Sequence, residues 1–216
     1  MLATIMIKAI FWDNDGVLVD TEPLYFSATR AVLAEAGVAL SREAFIRISL
    51  EEGRSVFDLA RNQGAAPDDL ERLRRLRNHR YGELLASGMA ALPGVEETLR
   101  ALHGHCLMAI VTSSLREHFD IIHRHTGILK YFDFILTRED YQHTKPHPEP
   151  YLTALARSGL APRQCLVVED TRRGLRSAVE AGLGCAVIPN GLTHASDFSE
   201  ARHVLSDVRQ VAALLD

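Results

Sequence analysis

The sequence predicts an α/β fold in which a parallel sheet carries helices on both faces and a helical cap is inserted after the first strand. Three observations lead to this prediction. Short apolar runs recur along the chain, helical segments separate them, and one long interval contains helical patterns only. Apolar runs of this kind are typical of strands buried on both faces, and their alternation with helices is typical of parallel sheets with right-handed crossovers.

Five apolar runs are the candidate strands of this sheet. Each is short, lacks the regular alternation of a half-exposed strand, and is followed directly by polar residues. They occupy residues 5–12, 106–111, 132–136, 165–168 and 185–188.

The segments between and after these runs carry helix start and stop signals. Pro148 is placed at the start of one helix and Gly159 directly after its end, while Asp207 is placed to cap the last one. The predicted helices of the core cover residues 95–102, 148–158, 174–181 and 208–215.

The interval between the first two candidate strands, about 90 residues long, is predicted to be helical throughout. Its helical segments cover residues 24–36, 42–48, 56–61 and 68–85, and the last of these places Leu70, Leu73, Leu76 and Leu84 at helical spacing. We therefore predict a helical cap domain at residues 20–88 and an α/β core domain formed by residues 1–19 and 89–216.

Composition and net charge argue against nucleic acid and anionic membrane as partners. Of the residues, 47% are apolar and 24% are charged, as in an ordinary globular protein, and the formal net charge of −4 gives no general attraction to nucleic acid or anionic membrane. The basic run at residues 71–80 has leucines at helical spacing, which favours a solvated helix face over a nucleic-acid site. We also assign His118, His123 and His125 to a helix surface rather than to a metal cluster.

No apolar stretch approaches the roughly 18–20 residues that a membrane span requires. The first apolar run contains Lys8 and lacks the basic start and small-residue cleavage site of a signal peptide. Three widely spaced cysteines fit free thiols in a reducing compartment. We expect a cytoplasmic monomer with no nucleic-acid or membrane partner.

The residues that follow the candidate strands are the candidate site, because ligands of open parallel sheets bind outside the carboxyl ends of the strands. After the first strand, Asp13 and Asp15 point to the same side, about 6–7 Å apart along an extended chain. Two carboxylates at this spacing can act on one phosphoryl group, one by attack and one by proton transfer. A solvated acidic turn is the alternative for this motif taken alone.

Each of the other strand ends adds residues that suit a phosphate ester or a cation. Thr112, Ser113 and Ser114 offer hydroxyls and backbone N–H groups, although they also fit a plain helix N-terminus. Lys145, one of only three lysines among the 24 Lys and Arg residues, offers an ammonium group that could neutralise a nucleophile, with an exposed loop lysine as the alternative. Glu169 and Asp170 complete, with Asp13, an oxygen-rich set suited to Mg²⁺, although they also fit acids that the dipole favours at a helix N-terminus.

These residues resemble the four motifs of the haloacid dehalogenase-like phosphohydrolases over almost the whole chain. The first motif corresponds to residues 13–22, the second to Thr112, the third to Lys145 with Pro146, and the fourth to residues 169–170. The resemblance implies a Rossmann-like parallel sheet with an inserted α-helical cap domain. It lies closest to the phosphatase and β-phosphoglucomutase-like branch of the family.

The resemblance also implies roles for the matched residues. Asp13 would be the nucleophile that forms an aspartyl-phosphate, and Asp15 would protonate the leaving group and then deprotonate water. Lys145 and Thr112, with Ser113 and Ser114 nearby, would hold the phosphoryl oxygens. The cofactor would be Mg²⁺, held by Asp13, the Asp15 carbonyl, Glu169 and Asp170. Asn14, Glu22 and, from the cap, Arg54 are the candidate substrate-binding residues.

The expected activity is hydrolysis of a small phosphorylated metabolite, such as a sugar phosphate. A β-phosphoglucomutase-like phosphomutase is the first alternative, although Tyr25 lies near the position where those relatives carry a cap histidine. A non-catalytic protein that binds a phosphorylated ligand on the same scaffold is the second alternative. The family's dehalogenases lack the second aspartate, so Asp15 favours phosphoryl transfer.

Overall fold

The computed structural model describes residues 6–215 and contains one six-stranded parallel sheet. Its spatial order is β3-β2-β1-β4-β5-β6, with every neighbouring pair parallel. The strands are β1 (Ala9–Trp12), β2 (Leu107–Val111), β3 (Phe134–Leu136), β4 (Cys165–Glu169), β5 (Gly184–Val187) and β6 (His203–Val204). The first predicted strand covers residues 5–12, and residue 5 lies outside the described residues.

Both faces of the sheet are buried, which explains why its strands are apolar without alternation. On β1, Ile10 and Trp12 belong to one apolar cluster, whereas Ala9 and Phe11 belong to another on the opposite face. Helices α5 (Val95–Leu102) and α6 (Arg116–His123) cover the first face, and α7 (Glu149–Ser158) and α8 (Arg172–Glu180) cover the second. The predicted α/β fold is confirmed.

The last elements differ from the sequence-based prediction. Strand β6 has only two residues and was missed, because so short a segment leaves no apolar run to recognise. The carboxyl-terminal segment Val208–Leu214 forms a 3₁₀ helix instead of an α-helix. Asp207 caps it as expected, since its carboxylate accepts from the backbone N–H of Arg209.

Between β1 and α5 the chain forms the predicted helices. They are α1 (Glu22–Glu35), α2 (Arg42–Phe45), α3 (Asp58–Asn62) and α4 (Pro67–Leu85), and α2 continues into a π-helical segment at Ile46–Glu51. These helices share an apolar cluster of their own, which includes Val32, Phe45, Leu70 and Leu73. The domain boundaries at residues 20 and 88 stay a prediction.

A second apolar cluster joins these helices to the sheet domain. Ala28 of α1 and Tyr81 and Leu85 of α4 pack with Ile122 of α6. Leu84 was predicted on the apolar face of α4 but is 37% exposed, because its neighbour Leu85 takes the buried position of that turn. Within residues 6–215, no helix combines the length and the apolar character that crossing a membrane demands.

Candidate active site

The carboxyl ends of the central strands open into a cavity of about 620 Å³ that residues of the cap helices also line. Its walls include most of the residues that the sequence singled out: Asp13, Asp15, Glu22, Arg54, Ser113, Ser114, Lys145 and Glu169. Thr112 and Asp170 are fully buried and contact this set, since Thr112 donates to Asp15 and the backbone N–H of Asp170 donates to Glu169. The topology therefore brings four remote stretches of sequence to one place.

The centre of the site is Lys145, which is buried between two carboxylates. Its ammonium nitrogen Nζ lies 2.6 Å from Oδ1 of Asp13 and 2.7 Å from Oε1 of Glu169, and it donates a third hydrogen bond of 2.8 Å to the carbonyl of Val111. Burial alone would lower the pKa of Lys145, but Asp13 and Glu169 outweigh it and raise that pKa. The lysine is therefore a fixed cation that holds the two acids together.

Glu169 is fully buried, and protein donors surround its carboxylate. Oε1 accepts from Lys145 and from the hydroxyl of Tyr151 at 2.7 Å, and Oε2 accepts from the Asp170 backbone N–H and the Thr171 hydroxyl. A Cβ at Gly174 would lie 2.0 Å from this carboxylate, so only glycine allows helix α8 to approach so closely. These contacts fix the position of Glu169.

Asp170 supplies the clearest evidence for a cation. Its Oδ2 accepts from Asn190 at 2.7 Å, whereas its buried Oδ1 has no hydrogen-bond partner among the described residues. Ligand oxygens of Asp13, Glu169 and Asp170 all lie within 4.8 Å of one another. A buried carboxylate oxygen without a donor is costly unless a cation satisfies it, so the residues present fit Mg²⁺.

The electrostatics of the acids agree with this interpretation. Burial, the charge of Glu169 and the charge of Asp15 raise the pKa of Asp13 to about 7, although Lys145 opposes the shift. Burial and the charges of Asp13, Glu169 and Glu22 raise the pKa of Asp170 well above its ordinary value, although Arg173 opposes the shift. A bound divalent cation would offset this repulsion and keep both carboxylates ionised.

Asp15 occupies a different environment from Asp13. Its Oδ1 accepts from the hydroxyl of Thr21, and its Oδ2 accepts from Thr112 at 3.0 Å and from Ser114 at 2.8 Å. The side chain is only partly buried and lies on the cavity wall. Its carboxylate therefore has fixed orientation and access to the cavity, which suits a proton-transfer group. The tight turn after it requires Gly16, whose φ is +85°.

The hydroxyl cluster is arranged differently from the expectation that all three residues would face a phosphate. Thr112 and Ser114 direct their hydroxyls to Asp15. Ser113, by contrast, lines the cavity with a buried hydroxyl that has no partner among residues 6–215. Of the three side chains, Ser113 is therefore the one with a hydrogen-bonding atom still available.

Asn14 does not line the cavity, which corrects its prediction as a substrate-binding residue. It is fully buried, and its Oδ1 lies 2.7 Å from Nε2 of His123. The reason is strand geometry, because residues 13 and 15 share one side and residue 14 points to the other. His118 and His123 are also buried, so the prediction that they lie on a helix surface was wrong.

The buried Glu22 and the half-buried Arg173 form a second pair in the cavity wall, 3.8 Å apart. Burial raises the pKa of Glu22 to about 7 against the lowering effect of Arg173. Oε2 of Glu22 and Nε of Arg173 both lack partners among the described residues. Arg54 lines the same cavity from the cap, but its side chain is 60% exposed and pairs with Glu52.

Three wall residues of the cap helix α4 were missed by the sequence analysis, which had assigned the basic run at residues 71–80 to solvent. Arg74, Arg77 and Asn78 all line the cavity. Arg77 stacks on the ring of Tyr25, 4.4 Å from its centroid, and donates to the Tyr25 hydroxyl and to Asn78. Helical spacing could have flagged residues 74, 77 and 78 as one face, but only the fold shows what that face meets.

Comparison with known proteins agrees with this geometry. Residues 10–188 match the family model of the haloacid dehalogenase-like hydrolases. The chain belongs to this family. The resemblance that the sequence motifs indicated is confirmed.

Relatives within the family match nearly the whole chain. CbbY of Rhodobacter capsulatus is 32% identical, over 95% of this chain and 96% of that protein. The phosphoglycolate phosphatase of Salmonella typhimurium is 30% identical, over 90% of this chain and 84% of that protein. Among solved structures, CbbY from Rhodobacter sphaeroides in complex with phosphate superposes with a TM-score of 0.80 at 25% identity, covering 95% of this chain and 96% of that one.

Proposed function

We propose that this protein is a Mg²⁺-dependent phosphohydrolase that transfers the phosphoryl group of a small phosphorylated metabolite to Asp13 and then to water. The observation that carries the proposal is the arrangement around Asp13. Its carboxylate shares Lys145 with Glu169 and lines the cavity, and it lies close to Asp170, whose Oδ1 has no donor among the described residues. Membership of a hydrolase family with phosphatase relatives supports the same reaction.

The first half-reaction forms the aspartyl-phosphate. A carboxylate oxygen of Asp13 attacks phosphorus, the bond from phosphorus to the ester oxygen breaks, and Asp15 donates a proton to that leaving oxygen. Lys145 keeps Asp13 oriented, and Ser113 is placed to donate to a phosphoryl oxygen. Asp13 and Asp170, with Glu169 and the Asp15 carbonyl, would hold Mg²⁺, which would supply charge neutralisation at the transferred group.

The second half-reaction uses the same residues in reverse roles. Asp15, now ionised, accepts a proton from water, the water oxygen attacks phosphorus, and the bond to Asp13 breaks to release phosphate. The hydroxyls of Thr21, Thr112 and Ser114 donate hydrogen bonds to the carboxylate of Asp15 and fix its direction. The cap helices limit the entry of bulk water during the first step.

A matched pair of variants tests the nucleophile. Asp13→Asn should abolish turnover of phosphate esters while the thermal unfolding curve stays cooperative, because the amide is a far weaker nucleophile. Asp20→Asn, an exposed acid of the same motif, should leave turnover unchanged. Beryllium trifluoride, a mimic of the acyl-phosphate, should inhibit the wild-type chain. Wild-type activity in Asp13→Asn would refute the assignment.

Two further assays distinguish the hydrolase from a phosphomutase and from a non-catalytic binding protein. A hexose bisphosphate gives free phosphate with a hydrolase and isomerised monophosphate with a phosphomutase. Tyr25, which stands near the position of the mutases' cap histidine, lines the cavity and is held by Arg77, which supports hydrolysis. No Mg²⁺-dependent turnover across a broad panel of phosphate esters would favour a non-catalytic binding protein.

A further inference from the structure

A second group of metal-ligating side chains lies on the loop that carries Lys145, outside the proposed active site. Donor atoms of His143, His147 and Glu149 all lie within 4.8 Å of one another. Two imidazoles and one carboxylate are a donor set preferred by Zn²⁺ and neighbouring transition metals, whereas Mg²⁺ selects oxygen ligands. We propose that these three residues form a surface site for a transition-metal ion of the Zn²⁺ class.

Hydrogen bonds already orient the carboxylate of this group. Oε1 of Glu149 accepts from the backbone N–H of Gln142 at 2.9 Å, and Oε2 accepts from the backbone N–H of His143 at 2.8 Å. Such supporting contacts fix the direction of a ligand carboxylate before the ion arrives. Glu149 is also the first residue of helix α7, so its backbone is held by a regular element.

The two imidazoles are close, and both contact Glu149. The Nδ1 atom of His143 lies 2.8 Å from Oε2 of Glu149, and the Nδ1 atom of His147 accepts from the backbone N–H of Glu149 at 3.2 Å. The His143 and His147 rings lie 4.6 Å apart. Ligand atoms around a tetrahedral Zn²⁺ with bonds of about 2.0–2.1 Å stand roughly 3.3 Å apart. Both histidines are exposed, so their side chains can rotate to bring the ligand atoms together, with their hydrogen bonds to Glu149 exchanged for bonds to the ion.

The nearby arginines do not occupy this site. Arg138 donates to the carbonyls of Tyr141 and Gln142, and Arg176 lies 3.5 Å from Glu180. Arg138, Arg176 and Glu180 border the same surface depression as the two histidines, so the charge around the site is mixed rather than uniformly positive. We expect micromolar affinity, as suits three exposed ligands.

The placement of the site links it to catalysis. His143 and His147 flank Lys145, whose ammonium group holds Asp13 and Glu169. An ion bound to both histidines would close a short loop around Lys145 and restrain it. Metal binding should therefore raise the melting temperature of the chain, because only the folded loop presents the three ligands together.

The test is a calorimetric titration of the tag-free protein with Zn²⁺ in excess Mg²⁺, which saturates the carboxylate site. The wild type should bind one Zn²⁺ that His143→Ala or His147→Ala weakens by about tenfold or more. His79→Ala is the matched control, because exposed His79 lies 3.4 Å from Glu83 without a third ligand, and it should bind as the wild type does.

A second measurement identifies the ligands. Co²⁺ in place of Zn²⁺ should give visible absorption bands typical of imidazole ligation in the wild type and the control, and these should be lost in both loop variants. Circular dichroism of the metal-free variants checks that they fold. The proposal is overturned if Zn²⁺ does not bind, or if its affinity is the same in the wild type and in His143→Ala and His147→Ala.

Discussion

The ammonium nitrogen of Lys145 lies 2.6 Å from Oδ1 of Asp13, although 131 residues separate the two in the chain and both are buried. The same nitrogen contacts Glu169 at 2.7 Å. One cation thus compensates two acids that come from different strands of the sheet. The same contact therefore contributes to the stability of the fold at the carboxyl ends of the central strands and to the chemistry proposed for Asp13.

Replacing Lys145 with methionine should affect both properties. We expect kcat to fall by about 10³-fold, because Asp13 loses its orienting partner, and the free energy of unfolding to fall by about 3–5 kcal/mol, because two buried carboxylates lose their cation. Steady-state kinetics and urea denaturation measure the two effects. Lys130→Met is the control, since Lys130 is exposed, and an effect of equal size there would contradict the explanation.

Chelation and Asp170→Asn test the proposed Mg²⁺ site. EDTA should abolish turnover and Mg²⁺ should restore it. Added Mg²⁺ should raise the melting temperature of the wild type, since the ion binds only the folded state, but not that of Asp170→Asn. Without metal, at about pH 8, the variant should be at least as stable as the wild type, because the raised pKa of Asp170 shows that its buried charge is unfavourable there.

The opposite pattern would contradict this site. If Asp170→Asn kept the full Mg²⁺-dependent rise in melting temperature, the ion would bind elsewhere on the chain. Asp20→Asn should behave as the wild type in both measurements, because Asp20 is exposed and outside the cluster.

Arg77 offers a test of substrate contact by the cap. Arg77→Ala should raise KM by about 10-fold or more with a smaller effect on kcat, as expected when a hydrogen bond to a charged group is lost from the ground state and the transition state alike. Arg75, on the same helix but 69% exposed, is the matched control. Equal KM values in the wild type and Arg77→Ala would place the substrate away from helix α4.

His123 should make the protein less stable in mild acid. Burial lowers the pKa of His123 to about 4, from an ordinary value of 6.5. The unfolded chain therefore binds a proton that the folded chain excludes, so this stability is complete above about pH 6.5 and is lost as pH falls toward about 4. The loss amounts to about 3 kcal/mol at most.

Urea denaturation at about pH 4.5 and about pH 7.5 measures this contribution. His123→Gln removes the titrating group and should reduce the difference in unfolding free energy between the two pH values. His79→Gln, at an exposed position, should leave the difference unchanged. An unaltered difference in His123→Gln would show that His123 is not buried in its neutral form.

The sequence by itself determined the fold class and the stretches that meet at the site. Apolar runs showed the buried strands, and the rule that ligands bind at the carboxyl ends of parallel strands pointed to Asp13, Thr112, Lys145 and Glu169. These features could be predicted because each depends on local composition and on the common direction of the strands. The short strand β6 and the π-helical segment after α2 could not, since neither has a local pattern of its own.

Only the tertiary structure decided which side chains contact one another at the site. It turned Asn14 toward His123, directed the hydroxyls of Thr112 and Ser114 to Asp15, and placed Arg77 over the cavity instead of in solvent. These contacts depend on the side of the strand or helix that a neighbouring element covers, and the neighbour comes from a distant part of the chain. Spacing along the sequence gives the face of each element, whereas packing alone determines what that face contacts.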